Sequence, residues 1–139
     1  MRLVVCSLLI ALACSRPPKV TSTPADFRRS VSGGDWTLVE LAGQPAPTGA
    51  GGRRPTLRFD ADSAHVSGFA GCNRFAGGYT IEGQALHFRP LAMTKMACVD
   101  GMELESRVAE ALGRTNRYEV AANGLTLFDG STAVARFTR

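Results

Sequence analysis

Histidine is scarce in this chain, with only His65 and His87 among 139 residues, so general acid–base chemistry at neutral pH has little to draw on. No G-x-S-x-G elbow, Walker-type loop, H-E-x-x-H pair or dinucleotide fingerprint occurs, and the motif signatures of serine hydrolases, nucleotide-binding folds and zinc peptidases are therefore missing. No apolar run reaches the roughly 20 residues that a membrane-spanning helix requires. Basic charge is also absent from where a nucleic-acid binder would need it. The chain carries a net charge of +4, but from residue 34 onward eleven Arg and Lys face eleven Asp and Glu. The surplus lies in segment 14–33, where Arg16, Lys19, Arg28 and Arg29 stand against Asp26 alone. This segment reads as a solvated linker, with attraction to anionic lipid headgroups as the alternative, and no nucleic-acid partner is expected.

What is present begins with an export signal. Arg2 is followed by residues 3–13, an uncharged and mostly apolar run that ends in Ala11-Leu12-Ala13 before Cys14, the layout of a secretory signal peptide over 1–13. Small residues ahead of a Cys resemble the lipobox of bacterial lipoproteins, in which Cys14 would become the acylated first residue. Ala11 stands where that motif most often carries Leu, and Ala11-Leu12-Ala13 also satisfies the ordinary cleavage rule. A plainly secreted protein with a free Cys14 is thus the alternative. Lipidation is the preferred reading because an exposed thiol at a mature N-terminus would be reactive. Residues 14–34 contain Pro17, Pro18, Pro24, Gly33 and Gly34 with little apolar periodicity, and read as a tether that holds one domain, 35–139, to the membrane.

Within that domain the side chains alternate with a period of two: Trp36 and Leu38, Leu57 and Phe59, Tyr79 and Ile81, Leu86 and Phe88. Gly83, Asn123-Gly124 and Asp129-Gly130 fall between such segments and predict hairpins, the last two within a three-stranded meander closed by Ala133, Ala135 and Phe137. A single segment departs from this period. Leu104, Val108, Ala111 and Leu112 form an amphipathic helical stripe, with Asp100 and Glu103 as a capping box, Glu103–Arg107 and Glu110–Arg114 as i,i+4 pairs, and Gly113 as a stop. The predicted fold is mostly β (α+β): an antiparallel curved sheet or cracked barrel with one amphipathic helix. Gly-rich 49–52 lacks the strand–loop–helix setting of a phosphate cradle and reads as a mobile loop.

Cys72 and Cys98 would lie in an oxidising compartment, where an even pair most often forms a disulfide; a loop of about 27 residues would contribute about 3 kcal/mol on the chain-entropy model. A zinc site drawn from Cys72, Cys98, His65 and His87 lacks close ligand spacing, and a Cys nucleophile with His87 as base would need a free thiolate. Both histidines sit in alternating strand segments and are expected to face solvent. No cofactor or metal is called for.

The domain resembles the META domain family, and the whole chain is similar to HslJ-type envelope lipoproteins. The resemblance rests on Trp36-Thr37-Leu38 with Gly43, on Gly71-Cys72-Asn73-Arg74-Phe75-Ala76-Gly77 followed by Tyr79, and on Leu91-Ala92-Met93-Thr94-Lys95-Met96-Ala97-Cys98. Glu105, Leu125-Thr126-Leu127 and Phe137 also match. It implies a cracked barrel similar in outline to lipid-anchored pilotins, with no attached enzymatic activity, in proteins associated with heat shock and novobiocin tolerance. The expected function is a non-catalytic lipoprotein on the periplasmic side of the outer membrane, binding an envelope protein or apolar ligand through Asn73, Arg74, Thr94 and Lys95. A pilotin-like chaperone holding an acyl chain or helix is the main alternative, and a hydrolase a second. For Asn73 and Thr94 the simpler role is satisfying backbone groups in turns.

Overall fold

The computed structural model describes residues 23–139; Cys14 and the segments read as signal and tether, up to residue 22, lie outside the described residues. Ten antiparallel strands build the domain: β1 (Trp36–Leu41), β2 (Gln44–Pro45), β3 (Thr56–Asp60), β4 (His65–Phe69), β5 (Arg74–Glu82), β6 (Ala85–Phe88), β7 (Ala92–Met93), β8 (Arg117–Ala121), β9 (Gly124–Asp129) and β10 (Thr132–Thr138). Eight of them close into a barrel in the order β10-β9-β8-β6-β5-β4-β3-β1, sealed by β1 against β10. Strand β2 is a short flap on β1, and β7 adds to β5 beyond the end of β6. The seam between β6 and β8 is the thinnest, with Ala85 opposite Arg117 as its one ladder pair.

The alternation read from the sequence places the core. Trp36, Leu38, Leu57, Val66, Leu86, Leu125 and Leu127 are fully buried, while His65 and His87 are exposed. Two bulges break the strict period, at Leu38/Glu40 in β1 and Ala133/Ala135 in β10. The second changes which residues face inward: Val134 and Ala135 are both buried, whereas Ala133 is only half-buried. An extra residue in one strand re-aims its neighbours and tightens the barrel's curvature. The turns follow the predicted sites at Gly83 and Gly130, both with positive φ. At the β8–β9 turn the left-handed residue is Ala122, and Gly124 already belongs to the strand.

Helix α2 (Met102–Arg114) buries the predicted stripe of Leu104, Val108, Ala111 and Leu112. Its ends differ from expectation. The N-cap is Gly101, not Asp100, and no side chain caps it. Gly101 has φ 95°, and an added Cβ would lie 2.3 Å from the Gly71 carbonyl oxygen, so close packing of two backbones decides this start rather than capping chemistry. Gly113 lies inside the helix, which ends at Arg114 where the Thr115 hydroxyl donates to the Ala111 carbonyl at 2.8 Å. Glu110 pairs with Arg114 at 3.4 Å, but the shorter bond of Arg114 is to Asp129 at 2.8 Å, and Glu103–Arg107 is not among the ion pairs of the described residues.

A second helix, α1 (Pro24–Val31), occupies the segment read as tether. Thr23 and Asp26 form a reciprocal capping box, Pro24 takes the first turn, and Phe27 and Val31 are buried on one face. Phe27 packs edge-on against Tyr118, Phe59 and Tyr79 at centroid distances of 4.5, 5.4 and 5.8 Å. The Trp36 indole N–H donates to the Val31 carbonyl at 3.0 Å, and Arg139 donates to the Ser30 and Ser32 carbonyls. An eight-residue helix is marginal alone; this one exists because it docks. Helix α1 covers one mouth of the barrel and α2 the other, where it lies beside Leu41, Ala42 and Val134.

Candidate functional site: a cationic groove on the outer face of the barrel

The segment around Cys72 is built from close backbone packing. Cys72 and Cys98 form a disulfide, with S–S 2.02 Å and Cα atoms 5.9 Å apart. Those thiols are thereby removed as nucleophiles or zinc ligands. The Gly-rich 49–52 stretch contains a 3-10 turn (Ala50–Gly52) tied to this region, the Ala50 N–H donating to the Gly71 carbonyl at 2.7 Å. It is docked rather than free-standing: a Cβ at Gly49 would lie 2.1 Å from that same oxygen.

Asn73, expected at a binding surface, is 2 % exposed. Its Oδ1 accepts from the Met96 N–H at 2.7 Å and the Thr94 hydroxyl at 2.9 Å. Its Nδ2 donates to the Met96 carbonyl at 3.1 Å and to Glu105 Oε1 at 3.3 Å, and its backbone N–H donates to Glu105 Oε2 at 2.6 Å. One side chain thus joins β5, the loop after β7 and helix α2 beside the disulfide. A fully satisfied buried network of this kind fixes geometry. Glu105 is its anchor on the helix.

The brace holds in place an open groove of about 690 Å³ on the outer face of β3, β4, β5 and β7. Cross-strand register makes its floor. One row runs Arg58–Ser67–Ala76–Ala92 and the next runs Thr56–Phe69–Arg74. Arg58 is bonded to Asp35 at 2.7 Å, and this bond holds the Asp35 carboxyl below the usual carboxylate range. The Arg53 guanidinium lies 4.2 Å over the Phe69 ring, which explains how an outward-facing Phe is only 4 % exposed. Arg74 is exposed, and its guanidinium makes no ion pair or hydrogen bond among the described residues. Three guanidiniums and one carboxylate line the groove, with hydroxyls from Thr56, Ser67 and Thr94.

Of the four predicted surface residues, the structure brings Arg74 and Thr94 into this groove, buries Asn73 behind it, and leaves Lys95 exposed outside its lining. Sequence reasoning missed Asp35, Arg53 and Arg58. Arg58 alternates with the buried Leu57 and Phe59, so its outward direction was readable; its neighbours across the sheet were not.

The model of the META domain matches residues 29–139. The chain belongs to the META domain family. It is also 29% identical over 126 residues to heat shock protein HslJ of Escherichia coli (strain K12), covering 89% of this chain and 84% of that protein. An NMR structure of a protein from Burkholderia xenovorans has a TM-score of 0.66 at 24% identity, over 95% of this chain and 98% of that one. A crystal structure of a DUF4847 family protein from Bacteroides vulgatus has a TM-score of 0.57 at 16% identity, over 81% and 96%. Both share the fold of this chain. The helix α1 residues from Arg29 onward fall inside the family match.

Proposed function

We propose that this chain is a non-catalytic envelope lipoprotein, anchored through Cys14, that binds a partner protein with the groove lined by Arg53, Arg58, Arg74 and Thr94. The observation that carries the reading is the contrast between a filled barrel, stoppered by α1 and α2, and a concave, cationic outer face braced by the disulfide and Asn73. A binding module needs rigid support beneath adaptable side chains. Arg74 supplies a surface guanidinium with no ion pair or hydrogen bond among the described residues. The heat-shock name of the Escherichia coli relative extends the reading to envelope stress. The pilotin-like alternative needs an apolar channel for an acyl chain or helix; the volume such a channel would use is taken by Phe27, Trp36, Phe59, Tyr79 and Tyr118, which weighs against it.

The test is photo-crosslinking from position 76 of the membrane-anchored protein in its native envelope. A reproducible crosslinked partner, lost in a normally folded Arg74→Ala variant, is the expected result. Equal crosslinking by that variant, or none by the wild type, refutes the proposed surface. An intact mass of the mature N-terminus without acyl addition refutes the anchor.

A further inference from the structure

The charge of the groove is local. From residue 34 onward the chain is balanced, eleven basic against eleven acidic residues, yet the groove collects three guanidiniums and one carboxylate already bonded to one of them. Two of the three cations are also positioned: Arg58 is tied to Asp35, and Arg53 is laid over Phe69. They are not free to converge on one compact anion.

Register sets their separation. Arg58 is on β3 and Arg74 on β5, two strands apart and in adjacent rows of the outer face. With strands about 4.8 Å apart and same-face rows about 6.8 Å apart, their backbones are separated by about 12 Å. On β4 between them stand Ser67 and Phe69, with Ala76 beside Arg74 on β5 and Met93, Thr94 and Thr56 at the sides. The groove is therefore cationic at two ends, with the Arg53 guanidinium over Phe69 and the small side chains of Ser67 and Ala76 between them, and the Thr56 and Ser67 hydroxyls can bond a peptide backbone. Of the two rings in its lining, Phe69 is covered by Arg53 and Phe75 is buried, so no ring is open for stacking a base or sugar.

Resting on the reading of this groove as the binding surface, we infer that its occupant is an acidic polypeptide segment in extended conformation, with two carboxylates four residues apart and so on one face of the segment. An extended chain advances about 3.3 Å per residue, so that spacing spans the Arg58–Arg74 separation. Carboxylates engage guanidiniums through paired, charge-assisted hydrogen bonds, for which Lys is a poor replacement. A small or aliphatic residue between the carboxylates would rest on Ala76 and Met93.

The experiment uses the mature chain with its disulfide intact and a fluorescein-labelled hexapeptide carrying two glutamates four positions apart, followed by anisotropy. Binding that weakens as salt rises is expected, with at least a tenfold loss for Arg74→Glu. Arg74→Lys should recover part of it. Arg89→Glu, an exposed position outside the groove, should bind as the wild type does. A matching peptide with lysines should not bind. Three results overturn the inference: no binding of the glutamate peptide, equal binding by Arg74→Glu, or selective loss by Arg74→Glu of binding to phosphatidylglycerol vesicles, which would assign the groove to the membrane. If the peptide fails while the envelope crosslink still depends on Arg74, the occupant's class is wrong and the binding surface survives. If both fail, both readings fall.

Discussion

Replacing Phe27 with Ala asks whether helix α1 belongs to the folded domain. Phe27 is 1 % exposed and meets three aromatic rings edge-on. Truncating a buried Phe costs about 3–5 kcal/mol, and an edge-on aromatic pair contributes about 0.5–1.5 kcal/mol beyond its area. The upper bound is the docking free energy of α1, because the helix can leave its seat instead of unfolding the barrel. A loss of about 3–4 kcal/mol follows, which for a domain of this size lowers Tm by roughly 10–15 °C. Trp36 is the single tryptophan of the chain and its indole bonds to Val31 at 3.0 Å beneath Arg139, so its emission reports the same event. The assay is urea unfolding followed by Trp36 fluorescence and, separately, far-ultraviolet circular dichroism. Undocking shifts the fluorescence transition ahead of the dichroism transition; cooperative loss moves both together. A Phe27→Ala variant within about 0.5 kcal/mol of wild type, the usual range for a surface position, would refute the docking of α1 and restore that segment to the tether.

Three further outcomes are expected. Asn73→Ala strips the side-chain partner from the Met96 amide, the Met96 carbonyl, the Thr94 hydroxyl and one oxygen of the Glu105 carboxylate at once, and should cost about 3 kcal/mol or more, against about 0.5 kcal/mol or less for its exposed neighbour Arg74→Ala; similar urea midpoints for the two would contradict the brace. Replacing both Cys72 and Cys98 with Ser removes a link between positions 26 apart in sequence and should remove about 3 kcal/mol, measured by thermal melting, with a loss below about 1 kcal/mol counting against the disulfide as a main stabiliser. Burial raises the Tyr79 phenol above its usual value, so its contribution is present below the unfolded value and is lost as pH rises through the folded one. Tyr79→Phe should therefore flatten the alkaline fall in stability, and an unchanged slope would exclude Tyr79 as its source.

Helix α1 shows why some of this fold was hard to read. Thr23-Pro24-Ala25-Asp26, a capped helix start, and the i,i+4 pair of Phe27 and Val31 were visible in the sequence. Two apolar residues amid Pro, Ser and Arg do not separate a docked helix from a linker, because the stabilising partners Tyr118, Tyr79 and Phe59 are remote in sequence. The bulge that turns both Val134 and Ala135 inward is likewise imposed by closure of the barrel. Asn73 and Thr94 fell to the plainer of the two roles weighed for them, bonding within the fold, although Thr94 also reaches the groove.

By itself the sequence determined what local physics controls: the core faces of Trp36–Leu38 and Leu57–Phe59, the turns at Gly83 and Gly130, and the buried stripe of α2. Tertiary structure alone decided where α2 begins, that α1 stoppers the barrel, and that Asp35, Arg53, Arg58 and Arg74 share one groove. Periodicity tells each residue which side of its own strand it occupies; only the register between strands, set by barrel closure and its bulges, tells it which distant side chains stand beside it.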